Sequence, residues 1–240
     1  MTEPTEALSL NEAIQLVQRM RQQIARVVVG QQQVIDQVLI AMLASGHVLV
    51  EGVPGLGKTL LVKSLAKCFQ GQFGRIQFTP DLMPADVTGH ALYDMKSEQF
   101  KIRKGPAFCN LLLADEINRA PAKTQAALLE VMQEKQITIE GKAFPAFTPF
   151  MVLATQNPIE QEGTYPLPEA ELDRFMLKVL IDYPSEGEEQ DLVKQVTTGQ
   201  VQDTLSVAAI ESVVSAADIP RLQHITAHIQ VDDAVFDYAV

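Results

Sequence analysis

Residues 52–59 read GVPGLGKT, a G-x-x-x-x-G-K-[ST] run, and no other stretch narrows the possible folds as much. Its glycines let successive backbone N–H groups turn inward around an anion, where a Cβ would obstruct them. Lys58 can reach the β- and γ-phosphates of a nucleoside triphosphate, and the Thr59 hydroxyl can hold Mg2+. His47-Val48-Leu49-Val50 before the run is strand-like. Leu60-Leu61-Val62-Lys63-Ser64-Leu65-Ala66 after it has helical spacing, so the anion would sit on a helix N-terminus.

A second apolar run, Leu111-Leu112-Leu113-Ala114, delivers Asp115 to the C-terminal end of a buried strand about 55 residues later. Ligands bind at that edge in open α/β sheets. Asp115 there can coordinate Mg2+, directly or through water, because this ion takes one or two carboxylates and keeps its waters. Glu116 next to it is the candidate base for orienting a water toward the γ-phosphate. Asn157 closes a further apolar run, Phe150 to Thr155. It either reaches the γ-phosphate or the attacking water, or simply starts the turn at Pro158. Arg174 lies in Leu172-Asp173-Arg174-Phe175. It either crosses a subunit boundary to neutralise transition-state charge on a neighbour's nucleotide, or forms a surface pair with Asp173.

The remaining pattern alternates strands and helices. Ser9-x-x-Glu12 is a capping box that opens an amphipathic helix with Ile14, Val17, Met20 and Ile24 at helical spacing. Val27-Val28-Val29-Gly30 breaks this helix, and a second spans Gln31 to Leu43. Strands are expected at 47–51, 75–78, 110–115, 150–155 and 176–181, with helices at 58–69 and 122–134. Two hairpins are expected, one around Tyr93 to Ile102 and one at 137–144. Continuously apolar strands separated by helices indicate a parallel sheet covered on both faces. After Pro184 the chain reads as helical, with Ser185-x-x-Glu188 as a cap and helical spacing near 206–216 and 232–240.

Net charge is −11, and residues 181–240 carry 11 acidic and 2 basic side chains, a net of −9 that leaves −2 for residues 1–180. The shift argues for a domain boundary near Tyr183-Pro184, giving an α/β core at 1–182 with its N-terminal helix at 9–26, and a helical domain at 183–240. It also disfavours broad nucleic-acid binding, which needs a basic footprint. No apolar run reaches the ~18 residues of a membrane span, and no secretory signal is visible, so a cytoplasmic protein is expected. Cys68 and Cys109 read as buried structural thiols. His224 and His228 are i, i+4 but lack a third ligand, so solvent-facing rings are expected. His47 and His90 have no evident partner.

With those residues placed, the chain resembles the MoxR family of AAA+ ATPases. The resemblance runs from about Val29 to the last residue, through VVVGQ at 27–31, GVPGLGKT at 52–59, GPAFCNLLLADEINRAPAKTQAALLEVMQE at 105–134 and ATQNPIEQEGTYPLPEAELDRF at 154–175. It implies a five-stranded parallel sheet of order 5-1-4-3-2 followed by a small helical lid, and a ring homo-oligomer, usually a hexamer, with ATP held between neighbours. Gly52, Val53, Pro54, Gly55, Leu56, Gly57, Lys58 and Thr59 then correspond to the Walker A loop, with Leu60 following. Asp115 and Glu116 correspond to Walker B, Asn157 to the sensor-one residue and Arg174 to the arginine finger. Val28, Val29 and Gly30 would flank the adenine. Implied partners are protein clients, often with a von Willebrand factor A domain. The family's second sensor arginine falls after Val240, so a truncated lid is expected.

The function expected is ATP hydrolysis coupled, in a chaperone-like manner, to remodelling or maturing a protein partner. The alternative is a nucleotide-dependent binding switch with little turnover, against which Glu116 and Asn157 argue, since a pure binder needs neither. A phosphotransferase would want an Arg-rich closing lid, and the segment after 181 holds only Lys194 and Arg221 as basic residues.

Overall fold

A computed structural model of the chain describes residues 8–52, 57–157, 163–182, 187, 190 and 207–239. Val53, Pro54, Gly55 and Leu56, the Ser185-x-x-Glu188 cap and the boundary at Tyr183-Pro184 lie outside the described residues.

Two helices open the chain, α1 (Leu10–Ala25) and α2 (Gln32–Leu43). The Ser9 side chain accepts from the Glu12 N–H while Glu12 returns to the Ser9 N–H at 2.9 Å, closing the expected capping box. α1 buries Ala13, Met20 and Ile24, whereas Ile14 is 45% exposed, so the inward face is rotated from the one its larger apolar residues suggest. Then follow β1 (Val48–Gly52), α3 (Lys58–Cys68), β2 (Phe73–Gln77), a five-residue helix α4 (Pro84–Thr88), and the hairpin of β3 (Gly89–Asp94) and β4 (Gln99–Lys104). β5 (Leu111–Asp115), α5 (Ala122–Glu134), a second hairpin of β6 (Gln136–Ile139) and β7 (Lys142–Pro145), β8 (Met151–Gln156), α6 (Glu169–Leu172) and β9 (Leu177–Ile181) complete the α/β part. Helices α7 (Asp218–Ala227) and α8 (Asp233–Ala239) come last.

The main sheet is parallel, in the order β2-β5-β8-β1-β9. With its strands numbered among themselves, this is 5-1-4-3-2 read from the other edge. Alternate residues of each strand enter opposite layers, as the two-residue period requires. Val48, Val50, Leu111, Leu113, Leu153 and Val179 join α1, α2 and α3 in one core. Leu49, Leu112, Ala114, Val152 and Ala154 join α4, α5 and β6 in the other. Both faces are therefore covered, which is why these strands read as unbroken apolar runs.

The expected helix near 206–216 is corrected. Among the described residues of that stretch only a 3-10 turn forms, Val207–Ala209. The chain then runs as a strap across the end of α3, with the Val213 and Val214 N–H groups donating to the Cys68 carbonyl at 2.7 and 3.2 Å. Those bonds satisfy the open end of α3 at the expense of a local helix. Ile210, Val214, Ile219 and Leu222 add to the core around α1–α3. Among the described residues, no helix is long and apolar enough to cross a membrane. Cys68 and Cys109 are buried, and burial pushes both thiols up to about 12.

His47 has a partner that its sequence context does not reveal. Its Nδ1 accepts the Val152 N–H at 3.0 Å across the sheet, and burial pushes its pKa down to about 4, partly offset by a backbone bond to Met132. The folded protein thus holds His47 neutral while the unfolded chain protonates it below about 6.5. The stability this lends is whole above pH 6.5 and is lost as pH falls toward 4, amounting to about 3 kcal/mol. We expect urea unfolding to show that loss between pH 7 and 4 in the wild type and a correspondingly smaller one in His47→Gln. Equal losses in the two would remove His47 from the account.

Candidate active site

The site forms at the C-terminal edge of β1, β5 and β8, where α3 begins. Gly57 stands before α3 with φ of 76° and ψ of 13°, a left-handed conformation that glycine adopts without strain, and no side chain caps the helix. The first N–H groups of α3, on Lys58, Thr59 and Leu60, therefore point toward the loop end with the positive end of the helix dipole behind them. Gly52 is fixed for a different reason: a Cβ there would lie 2.5 Å from the Ile181 carbonyl oxygen on β9.

Lys58 folds back so that its Nζ donates to the Gly52 carbonyl at 2.7 Å. Burial lowers its pKa, while the charges of Asp115 and Glu116 act in the opposite sense. An ammonium, two carboxylates and a helix N-terminus thus meet in one place, from segments far apart in sequence.

Parallel pairing explains how the acids arrive. Leu113 and Leu153 lie in register and face the α3 side, so two residues on, Asp115 and Thr155 face that side too. The Thr155 Oγ1 donates to Asp115 Oδ1 at 2.7 Å and accepts the Glu116 N–H at 2.8 Å. Glu116 sits at φ 56° and ψ 51°, a left-handed conformation that costs a side-chain-bearing residue about 1–3 kcal/mol. Leu111, Leu112 and Leu113, each no more than 1% exposed, contribute about 2 kcal/mol apiece, so the strand holds the strained turn at its end.

Edge strand β2 adds residues that the sequence did not flag. Gln77 pairs in register with Asp115, and Arg75 with Leu113. Arg75 Nη2 lies 2.8 Å from Asp115 Oδ2, and Gln77 Nε2 donates to Glu116 Oε2 at 2.8 Å. Arg119 Nε is 3.4 Å from the same Glu116 oxygen. The alternation of Arg75-Ile76-Gln77-Phe78 shows that Arg75 and Gln77 share a face. That this face adjoins Asp115 depends on strand order, which local sequence does not carry.

Asn157 follows β8 at this edge and is buried, with 7% exposed. Val28 is buried in the turn between α1 and α2, and Val29 and Gly30 are half-buried beside it. Arg174 does not join the cluster. β9 starts at the opposite edge, with Leu177 level with Val48, and the Met176 N–H donates to the His47 carbonyl. The four rises from Val48 to Gly52 span ~13 Å, and Arg174 lies beyond the far end of that span. There its Nη1 donates to Gln133 Oε1 near the end of α5, rather than to Asp173.

The cluster fits a magnesium-bound nucleoside triphosphate. Its donors are oxygens, from the Thr59 hydroxyl and the Asp115 carboxylate, and the uncapped helix start suits phosphate. Among the described residues no group of three His, Cys, Asp or Glu side chains forms a metal cage. Magnesium held by one carboxylate and substrate phosphates needs none. His224 and His228 are exposed, as expected, with ring centroids 4.2 Å apart.

Comparison with known proteins agrees with this chemistry. A model of the ATPase family associated with various cellular activities (AAA) matches residues 47–177. The protein Chaperone MoxR1 of Mycobacterium tuberculosis is 46% identical over 237 residues, covering 99% of this chain and 61% of that protein. YeaC of Bacillus subtilis is 48% identical over 217 residues, covering 90% of this chain and 66% of its own length. The chain thus spans about three fifths to two thirds of these curated relatives. A crystal structure from Cytophaga hutchinsonii superposes with a TM-score of 0.83 at 42% identity, covering 95% of this chain and 68% of that one. The family model spans β1, the start of α3 and both acids, and with these relatives matched over nearly all of its length the chain belongs to the MoxR family of AAA+ ATPases.

Proposed function

We propose that this chain binds ATP with magnesium at 52–59 and hydrolyses it, as the nucleotide-binding part of a ring oligomer that remodels or matures a protein partner. The observation that carries the reading is the convergence of Lys58, Asp115 and Glu116 at the uncapped start of α3. Lys58 and the backbone from Gly52 to Leu60 hold the phosphates, and Val28, Val29 and Gly30 flank the base. Thr59 and Asp115 would hold Mg2+, which when bound supplies charge neutralisation at the phosphate oxygens. Glu116 takes a proton from the attacking water, and Asn157 orients that water.

Arg174 acts on a neighbour. Its place at the sheet edge opposite its own phosphate loop supports a role in trans, and an in-trans arginine requires an oligomer, for which we propose a hexameric ring. We assign residues 183–240 to a helical lid domain. The chaperone name of the mycobacterial relative supports a protein client, and a partner with a von Willebrand factor A domain fits the family resemblance.

Calorimetry on the full-length protein tests the binding half of this reading. Removing the Lys58 ammonium deletes a charge-assisted contact, so Lys58→Ala should weaken Mg-ATP binding about 100-fold. Wild-type affinity in the variant would dismiss 52–59 as the site.

A further inference from the structure

Asp115 is held by two donors of different kinds. Thr155 gives one oxygen a neutral hydroxyl at 2.7 Å, and Arg75 gives the other a guanidinium at 2.8 Å. The Arg75 side chain is 48% exposed and the Asp115 side chain 19%, so the arginine reaches in from the rim to a mostly buried carboxylate. Arg75 stands on β2, which among the described residues is an edge strand of the sheet. The same Arg75 Nη2 also donates to Gln77 Oε1 at 3.1 Å, so the guanidinium already has a second acceptor on its own strand.

A carboxylate that serves a divalent cation needs a free lone pair and little positive charge around it. Here one oxygen already accepts from a guanidinium cation at 2.8 Å, and Lys58 is a second cation acting on the same carboxylate. A metal on Asp115 would face both. Lys58, which donates to the Gly52 carbonyl here, would be compensated once phosphates arrive and its ammonium turns to them. Arg75 gains no such compensation, since its partner is the carboxylate itself.

We propose that Arg75 is a tethered competitor of the divalent cation at Asp115, so that metal loading requires the guanidinium to leave this carboxylate. The proposal rests on the magnesium-nucleotide reading of the site. It gives strand β2 a function: Asp115 is neutralised by Arg75 until metal arrives with nucleotide, and whatever draws Arg75 from Asp115 raises metal affinity. The opposing possibility, a fixed arginine that orients Asp115 for the metal, predicts effects of opposite sign.

The test uses the full-length protein and Mn2+ as the metal probe, followed by its electron paramagnetic resonance signal in the presence of saturating ADP. Arg75→Gln, which keeps a polar side chain but loses the charge, should lower the Mn2+ concentration for half-saturation about tenfold, within the usual range for coupled sites. Arg75→Lys retains a cation and should remain within about twofold of wild type. ADP affinity measured in chelator should change little in either variant. Unchanged or weakened Mn2+ binding in Arg75→Gln, with thermal melting and chelator-measured ADP affinity like wild type, would overturn the competition. If wild type binds neither ADP nor Mn2+, the nucleotide reading of the site fails instead, and the two failures are distinct.

Discussion

Glu116→Gln should bind Mg-ATP like wild type and turn it over about 1,000-fold more slowly, within the usual range for loss of a general base. The substitution is a clean one in this setting. The amide keeps an oxygen that can accept from Gln77 Nε2, which donates to Glu116 Oε2 at 2.8 Å. The backbone bond from the Glu116 N–H to Thr155 does not involve the side chain. The strained backbone at φ 56° carries the same kind of side chain in both proteins, so folding should be nearly unaffected. What disappears is the ability to take a proton from water, together with the charge that faces Arg119 at 3.4 Å, a partly exposed pair worth little to folding. Single-turnover phosphate release beside calorimetric binding separates the two steps. Wild-type turnover in Glu116→Gln would place the base elsewhere. If binding persists without turnover, the same variant serves as a trap for capturing the client.

Most of the fold was legible because its signals were local. The phosphate loop needs glycines at fixed offsets, the parallel strands need continuous apolar runs, and α1 needs its Ser9–Glu12 box. Each leaves a mark on neighbouring residues. The misreadings were of features decided across the sheet or by tertiary contact. Residues 206–216 have helical spacing, but Val213 and Val214 gave up a local helix to bond the Cys68 carbonyl. α4 was missed because its five residues lie in a Pro-punctuated stretch too short to show a period. His47 looked solitary because the donor to its Nδ1 is the Val152 N–H, 105 positions away.

The candidate site divides in the same way. Lys58, Asp115 and Glu116 were legible from motif spacing. Arg75, Gln77 and Thr155 were not, because each acts through strand register. Register in a parallel sheet is fixed by crossover connections rather than by adjacent residues. The pairing of Arg174 with Gln133 in place of Asp173 belongs to the same class, since α5 and the segment before β9 meet only after the sheet is assembled.

Arg174→Ala in the full-length protein should bind ATP nearly normally and hydrolyse it about 1,000-fold more slowly, the scale at which arginine fingers act. The substitution also removes the contact with Gln133, so a structural role must be kept apart from a chemical one. Gln133→Ala provides that control, because it deletes the tether and leaves the guanidinium. It should retain most of the activity and match Arg174→Ala in melting temperature. If Gln133→Ala is as inactive as Arg174→Ala, the arginine holds α5 in place rather than serving a nucleotide.

The most direct measurement of a site shared between neighbours mixes two inactive proteins. Arg174→Ala keeps its phosphate loop and lacks the finger, and Lys58→Ala keeps the finger and lacks the loop. Once mass measurement shows that mixed oligomers form, ATP turnover is followed across mixing ratios. The account predicts recovered activity with a maximum at intermediate ratios, from interfaces where an intact phosphate loop meets an intact Arg174 of the neighbouring subunit. Activity that stays at background at every ratio, in oligomers shown to be mixed, would contradict it.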